Sequence, residues 1–277
     1  MWAGQWETGT MGGEPTEGSF ERVCRVDGPV TLDVSVDSGF VRVRAGESGT
    51  VQVRGILRAR RWLFDWGNAE ERIRQLEAQP PVDQQGNCIR VGDAADRWLL
   101  RGVSLFLEIA VPAPTTIRAL GDSGDIRVEG IDGPVTCETG SGEIEVSGIA
   151  SDVSASTDSG AVRIRRIRGR VRVSTDHGEI EALEIAGPIE ASTDHGEMRL
   201  SQTMAAPIRA ESDHGGISVK LAPEAGYSVS VRTDHGTITV PSMEVRDAPT
   251  SKEVNGRIRG GGPVVDLETD HGDIDIA

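Results

Sequence analysis

Apolar residues alternate with polar ones in short runs, and the runs return at a fixed distance. Aligned on Gly124, Gly142, Gly160, Gly178, Gly196, Gly215, Gly236 and Gly272, the steps are 18, 18, 18, 18, 19, 21 and 36 residues. Two and four residues after each glycine sit pairs such as Ile126/Val128, Ile144/Val146 and Val162/Ile164. Seven and five before it sit pairs such as Val135/Cys137, Val153/Ala155 and Val171/Val173, and at three before it a Thr or Ser recurs. A period of two means strands with one buried face; a helix would need apolar positions three and four apart. Ile131, Ile149, Ile167 and Ile185, seven after the glycine, mark a corner.

Two short strands per 18 residues cannot bury an apolar face alone. Stacked at about 4.8 Å per coil, they bury one continuous column. The pattern therefore predicts an all-β chain: a right-handed parallel β-solenoid of about 18-residue coils, with Ile144, Val162 and Ile180 above one another. Asp-Ser-Gly or Asp-His-Gly forms the turn, where Asp bonds amides ahead of it and Gly takes a conformation closed to other residues. An outward column reading Arg127, Glu145, Arg163, Glu181, Arg199 alternates in sign, as expected of stacked neighbours that fix register.

Three segments follow. Residues 1–19, rich in Gly, Thr and Glu, read as a flexible lead-in. Residues 20–116 hold a first coil around Leu32, Val34, Val36, Val41 and Val43, then an insertion that breaks the period and carries a helix near 69–78, stopped by Pro80-Pro81. The insertion is expected to cap the open end or side of the stack; the alternative reading is a partner surface built from Trp62 and Trp66. Residues 117–277 form the repeat solenoid. The 36-residue step to Gly272 fits one coil with a long loop or two coils.

Composition narrows the function. With 29 Lys plus Arg against 44 Asp plus Glu, the net charge of −15 argues against a nucleic-acid partner. No apolar run is long enough to cross a membrane as a helix. Cys24, Cys88 and Cys137 are scattered and odd in number, so neither a disulfide framework nor a zinc site is expected, and Cys137 reads as a core residue. Met1 to Ser19 shows no signal-peptide pattern, which favours the cytoplasm for the sequence as given and an exported or envelope protein if a signal has been removed.

The run Glu138-Thr139-Gly140-Ser141-Gly142-Glu143-Ile144-Glu145-Val146, with Phe20-Glu21-Arg22, Gly28-Pro29-Val30 and Leu32-Asp33-Val34 upstream, resembles a bacterial adhesin-like family of unknown function. The 18-residue rung also resembles that of bactofilins, β-solenoids that polymerise end to end. The resemblance covers roughly residues 20–277. It implies the fold and carries over no catalytic residue. His stands where the family has Ser at positions 177, 195, 214, 235 and 271.

Three functional readings result. The main one is a non-enzymatic scaffold or adhesin-like interaction module with a protein or carbohydrate partner and no cofactor. No Ser elbow, Walker loop or GxGxxG occurs. The chain stops on a repeat strand, so Ile274 and Ile276 read as an uncovered rung through which two copies join end to end. The second reading is a divalent transition-metal site on four consecutive coils, built from His177, His195, His214 and His235 with Asp176, Asp194, Asp213 and Asp234. The third is a polysaccharide-acting enzyme, which needs two carboxylates in unlike environments, whereas the turn Asp residues repeat one environment.

Overall fold

The computed structural model describes residues 16–59, 68–92, 97–240, 244–245 and 252–277, so Trp62 and Trp66 lie outside the described residues. The chain opens with β1 (Thr16–Arg25), β2 (Val30–Ala45), β3 (Thr50–Ala59), helix α1 (Asn68–Ala78), β4 (Val82–Gln85), β5 (Cys88–Val91), the one-turn α2 (Arg97–Leu100) and β6 (Val103–Val111). β7 (Thr115–Glu129) spans a whole coil, as β2 does. Pairs follow: β8 (Val135–Ser141) with β9 (Ile144–Ile149), β10 (Val153–Ser159) with β11 (Val162–Ile167), and β12 (Val171–His177) with β13 (Ile180–Ile185). Next come β14 (Ile189–His195) with β15 (Met198–Gln202), and β16 (Ile208–His214) with β17 (Ile217–Lys220). The last elements are β18 (Tyr227–His235), β19 (Ile238–Thr239), β20 (Glu244–Val245), β21 (Glu253–Ile258), β22 (Val264–His271) and β23 (Ile274–Ile276).

The solenoid is parallel through its body. Ile144, Val162 and Ile180 are successive register partners, and all three are fully buried. The Ile131, Ile149, Ile167 and Ile185 corner is buried too and carries its own bonds, Ala150 N to Ile131 O at 2.9 Å and Arg168 N to Ile149 O at 3.0 Å. In the next coil Gln202 replaces the corner isoleucine, opposite Ile185. It donates to Gly187 O at 3.0 Å and accepts from the Tyr227 hydroxyl at 3.3 Å, which in turn accepts from Ala222 N. The single tyrosine thus satisfies the one amide placed in the corner column.

Order in space departs from order in sequence at both ends. β22 lies between β16 and β18, and β23 between β17 and β19. The last coil of the chain is therefore next to last in the stack, and antiparallel β21, then β20, cover β18. The 36-residue step holds this excursion and return. At the other end β2 lies between β7 and a coil made of β5 and β6. Antiparallel β3 and β1 cover β6, and antiparallel β4 covers β5. Ten coil layers result, roughly 43 Å at the ordinary strand spacing.

The insertion sits within this N-terminal closure. Ile73 and Leu76 of α1 are buried, and Gly18 of β1 has no Cβ to collide with Ile73. Glu77 Oε1 accepts from Ser19 N at 2.8 Å. The expected uncovered rung is absent. Ile274 and Ile276 are 0% and 3% exposed; Ile274 has Ile217 and Ile238 on either side, and Ile276 lies against Val219. The end-to-end surface read from these residues is interior.

Candidate functional site

The turn joining the two strands of each coil forms one long edge of the molecule. Its glycines explain why it stacks so closely. Gly39, Gly124, Gly142, Gly160, Gly196 and Gly215 have φ between +135° and +159°, and a Cβ on any of them would overlap a carbonyl of the coil beneath. Gly272 meets Gly215 O and Gly236 meets Gly272 O, so the column runs unbroken through the inserted coil. Inside the turn, Thr139, Thr157 and Thr175 donate their hydroxyls to Gly124, Gly142 and Gly160 O at 3.2, 3.4 and 3.3 Å. Thr269 donates to Gly215 O at 3.1 Å and Thr233 to Gly272 O at 3.0 Å, which repeats the same spatial order.

The residue before each anchor position points outward and divides the edge in two. From the N-terminal end the column reads Ser104, Ser38, Ser123, Ser141 and Ser159. It continues as His177, His195, His214, His271 and His235. Five serines are followed by five histidines. The imidazole centroids are 5.0, 4.8, 4.8 and 4.6 Å apart, with interplanar angles of at most 5°. All five rings are exposed, and among the described residues none makes a side-chain hydrogen bond or ion pair. His195, His214 and His271 have a ring on both faces, so their edges, with the ring nitrogens, are what meets solvent.

Exposed carboxylates border this column. Asp176, Asp194, Asp213, Asp270 and Asp234 precede the histidines. Glu179, Glu197 and Asp273 follow the anchor glycine on the other side. Arg199 pairs with Glu179 and with Glu197, and Arg232 pairs with Asp234 at 3.3 Å. The alternating outward column forms in part: Arg127 pairs with Glu145, while Arg163 bonds Glu143 and reaches Glu181 at 4.0 Å. Arg199 turns back to the edge, and Arg165 holds Glu181 instead, at 2.6 Å. Such exposed pairs contribute about 0–1 kcal/mol each.

The metal reading placed His177, His195, His214 and His235 on consecutive coils; His271 intervenes between the last two. Among the described residues no three His, Cys, Asp or Glu side chains converge on a metal-sized site. The stack explains why. Two imidazole nitrogens on one zinc ion lie at most about 4.2 Å apart, whereas parallel rings in register hold equivalent nitrogens near the 4.6–5.0 Å ring spacing.

A second surface feature is a shallow groove of about 170 Å³ over β5, β2 and β7, lined by Asp33, Ser35, Arg90, Arg118 and Leu120 with Val34 and Val91 beneath. It contains one carboxylate, Asp33, and so offers no acid–base pair. The cysteines are free. Burial pushes the Cys137 thiol up to about 12 and raises Cys24, the latter partly offset by Arg22. Neither has the depressed thiol of a nucleophile.

The family model for Toastrack DUF4097 matches residues 90–277. The chain belongs to this family. The Toastrack match begins within β5 and runs to the last residue, leaving β2 outside although β2 lies inside the stack. Among solved structures, a "putative adhesin" from Bacteroides fragilis is 14% identical, with 95% of this chain and 99% of that one covered and a TM-score of 0.49. A "putative cell adhesion protein" from Clostridium sporogenes is 11% identical, with coverages of 95% and 99% and a TM-score of 0.28. No curated protein matches the chain.

Proposed function

We propose that this Toastrack protein is a non-enzymatic β-solenoid interaction module, adhesin-like in character, whose contact face is the His-bearing edge. The observation that carries this reading is the uniformity of the edge. Five consecutive layers present the same Asp-His-Gly turn, with rings stacked near-parallel and ring nitrogens left unpaired. Catalysis needs groups whose environments differ, so that one is acid and another base. A row of equivalent groups suits repeated recognition instead. Stacked presentation also lowers the ordering cost of binding.

The test is binding of the full chain to immobilised extracellular-matrix proteins and cell-wall polysaccharides near neutral pH, beside a variant with all five histidines changed to Ser. Saturable binding weakened at least tenfold in the variant supports the reading. Polysaccharide turnover abolished by substitutions in a single layer overturns it.

A further inference from the structure

We propose that the five-histidine edge is a proton-operated lateral contact between two copies of this chain. The proposal takes the edge as a contact face, as in the reading above, and names the partner and the condition.

The repeat selects the partner. A ligand that engages several rings must present groups every 4.6–5.0 Å along a line about four spacings long. A second copy of the same edge has this repeat because both are set by strand spacing. Neither end coil offers a whole free rung, since antiparallel strands cover β6 and β5 at one end and β18 at the other. The side of the solenoid remains.

The charges select the geometry. The His column runs beside the column Asp176, Asp194, Asp213, Asp270, Asp234. A two-fold axis parallel to the stack sets each His column against the partner's Asp column, and the contact is closed and self-complementary. The other charged groups around the turn are mostly acidic. Glu179 and Glu197 are held by Arg199, and Asp273 receives a bond from Thr237 N at 2.8 Å. Toward the C-terminal end stand Arg232, paired with Asp234 and 4.0 Å from Glu268, and then Glu253 of β21 with Lys252 just before it.

The protons supply the switch. Imidazole changes charge within the pH range of about 5 to 8. With neutral rings, two such edges are two rows of carboxylates, and they repel. With charged rings, each edge alternates positive and negative columns. Within one chain, five like charges stacked at ring spacing repel each other, and a facing row of carboxylates relieves that repulsion. The Ser half of the edge has no such response, so the contact is confined to the five His layers. The strip is roughly 24 Å by 10 Å, well below the approximately 800 Å² per partner of a stable interface. The expected dimer is therefore weak and reversible.

Sedimentation velocity across a concentration series into the hundreds of micromolar, at about pH 8 and about pH 5.5, tests the proposal on the full chain. The wild type is expected to stay monomeric at the higher pH and to approach dimer mass at the lower, with added salt reversing the rise. The variant His177→Ser, His195→Ser, His214→Ser, His235→Ser, His271→Ser keeps the turn used by the other half and is expected to remain monomeric at both. Asp194→Asn with Asp213→Asn is expected to weaken the low-pH dimer at least threefold. Circular dichroism at both pH values verifies that each variant is folded. A wild type monomeric at both pH values overturns the proposal. So does an equal rise in the His variant, which would mark loss of the general repulsion of a chain of net charge −15. Either result leaves partner binding at neutral pH untouched, so this failure is distinct from failure of the interaction-module reading.

Discussion

The two ends of the solenoid solve one problem with different depths of cover. At each end the coil nearest the chain terminus is inserted one layer inward, and a later or earlier segment forms the outermost layer. At the N-terminal end antiparallel strands back both halves of the outermost layer, and at the C-terminal end, among the described residues, they back β18 alone. An antiparallel strand ends the run of equivalent layers, so the edge no longer offers a further copy the same parallel register. The N-terminal cover is thick. Two strands lie over β6, α1 packs on β1, and ion pairs Arg58–Glu17 and Arg54–Glu21 link β3 to β1 at 2.8 and 3.1 Å. The C-terminal cover is thin on one sheet, where β19 is two residues long and Ile238 is only half-buried. Insertion is thus common to both ends, while lid thickness is not. A buried apolar column needs a closed end, and closure needs few residues once the terminal coil has been moved inside.

The inserted coils can be tested for interior behaviour. The largest effect is expected from Gly272→Ala and Gly39→Ala, whose new Cβ would meet the carbonyls of Gly215 and Leu105. Each should cost about 3 kcal/mol or more in chemical unfolding; a cost at only one end would break the equivalence. Ile274→Ala is expected to cost about 3 kcal/mol, as much as Ile164→Ala in the middle of the stack. A cost under half that of Ile164→Ala would mean that the last coil behaves as an open end. Tyr227→Phe should cost about 1–2 kcal/mol by leaving Gln202 Oε1 and Ala222 N without their shared partner, read as a shift in thermal midpoint. The smallest effect is alkaline. The Cys137 thiol sits in the fold at about 12 against 9.0 for a free thiol, so its contribution is complete below about pH 9 and declines as pH rises towards 12. Unfolding free energy should fall by about 1 kcal/mol between pH 9 and 10, less in Cys137→Ala.

Much of the molecule was legible because stacking makes sequence distance and spatial distance proportional. The 18-residue register placed Ile144 under Val162, and the charge pattern anticipated the Arg127–Glu145 pair. Helix α1 also lies within one residue of its expected start. The insertion of β22 and β23 was not legible, because equivalent coils carry no mark of which neighbour they join. The same equivalence hid His271 from the His column: its turn reads like the others, yet 36 residues separate its glycine from the preceding one. The backbone bond from Gly215 N to His271 O, 2.9 Å long, is where that ambiguity ends. Gln202 went unnoticed because it replaces a member of an apolar column, and Tyr227 because their pairing crosses 25 residues.

The inserted C-terminal coil has a consequence for how the chain is made. Residues 264–276 leave the ribosome after β18 to β21, yet their places lie between β16 and β18, and between β17 and β19, all of which are synthesised earlier. The middle coils from β7 to β17 can settle in the order of their synthesis, each on the one before. The slot for β22 and β23 has to stay open until those strands emerge, with β16 and β17 unpaired on that side. Nascent-chain folding should therefore proceed in steps through the body and include one out-of-order event, the entry of β22 and β23 after β18 and β19 have been made.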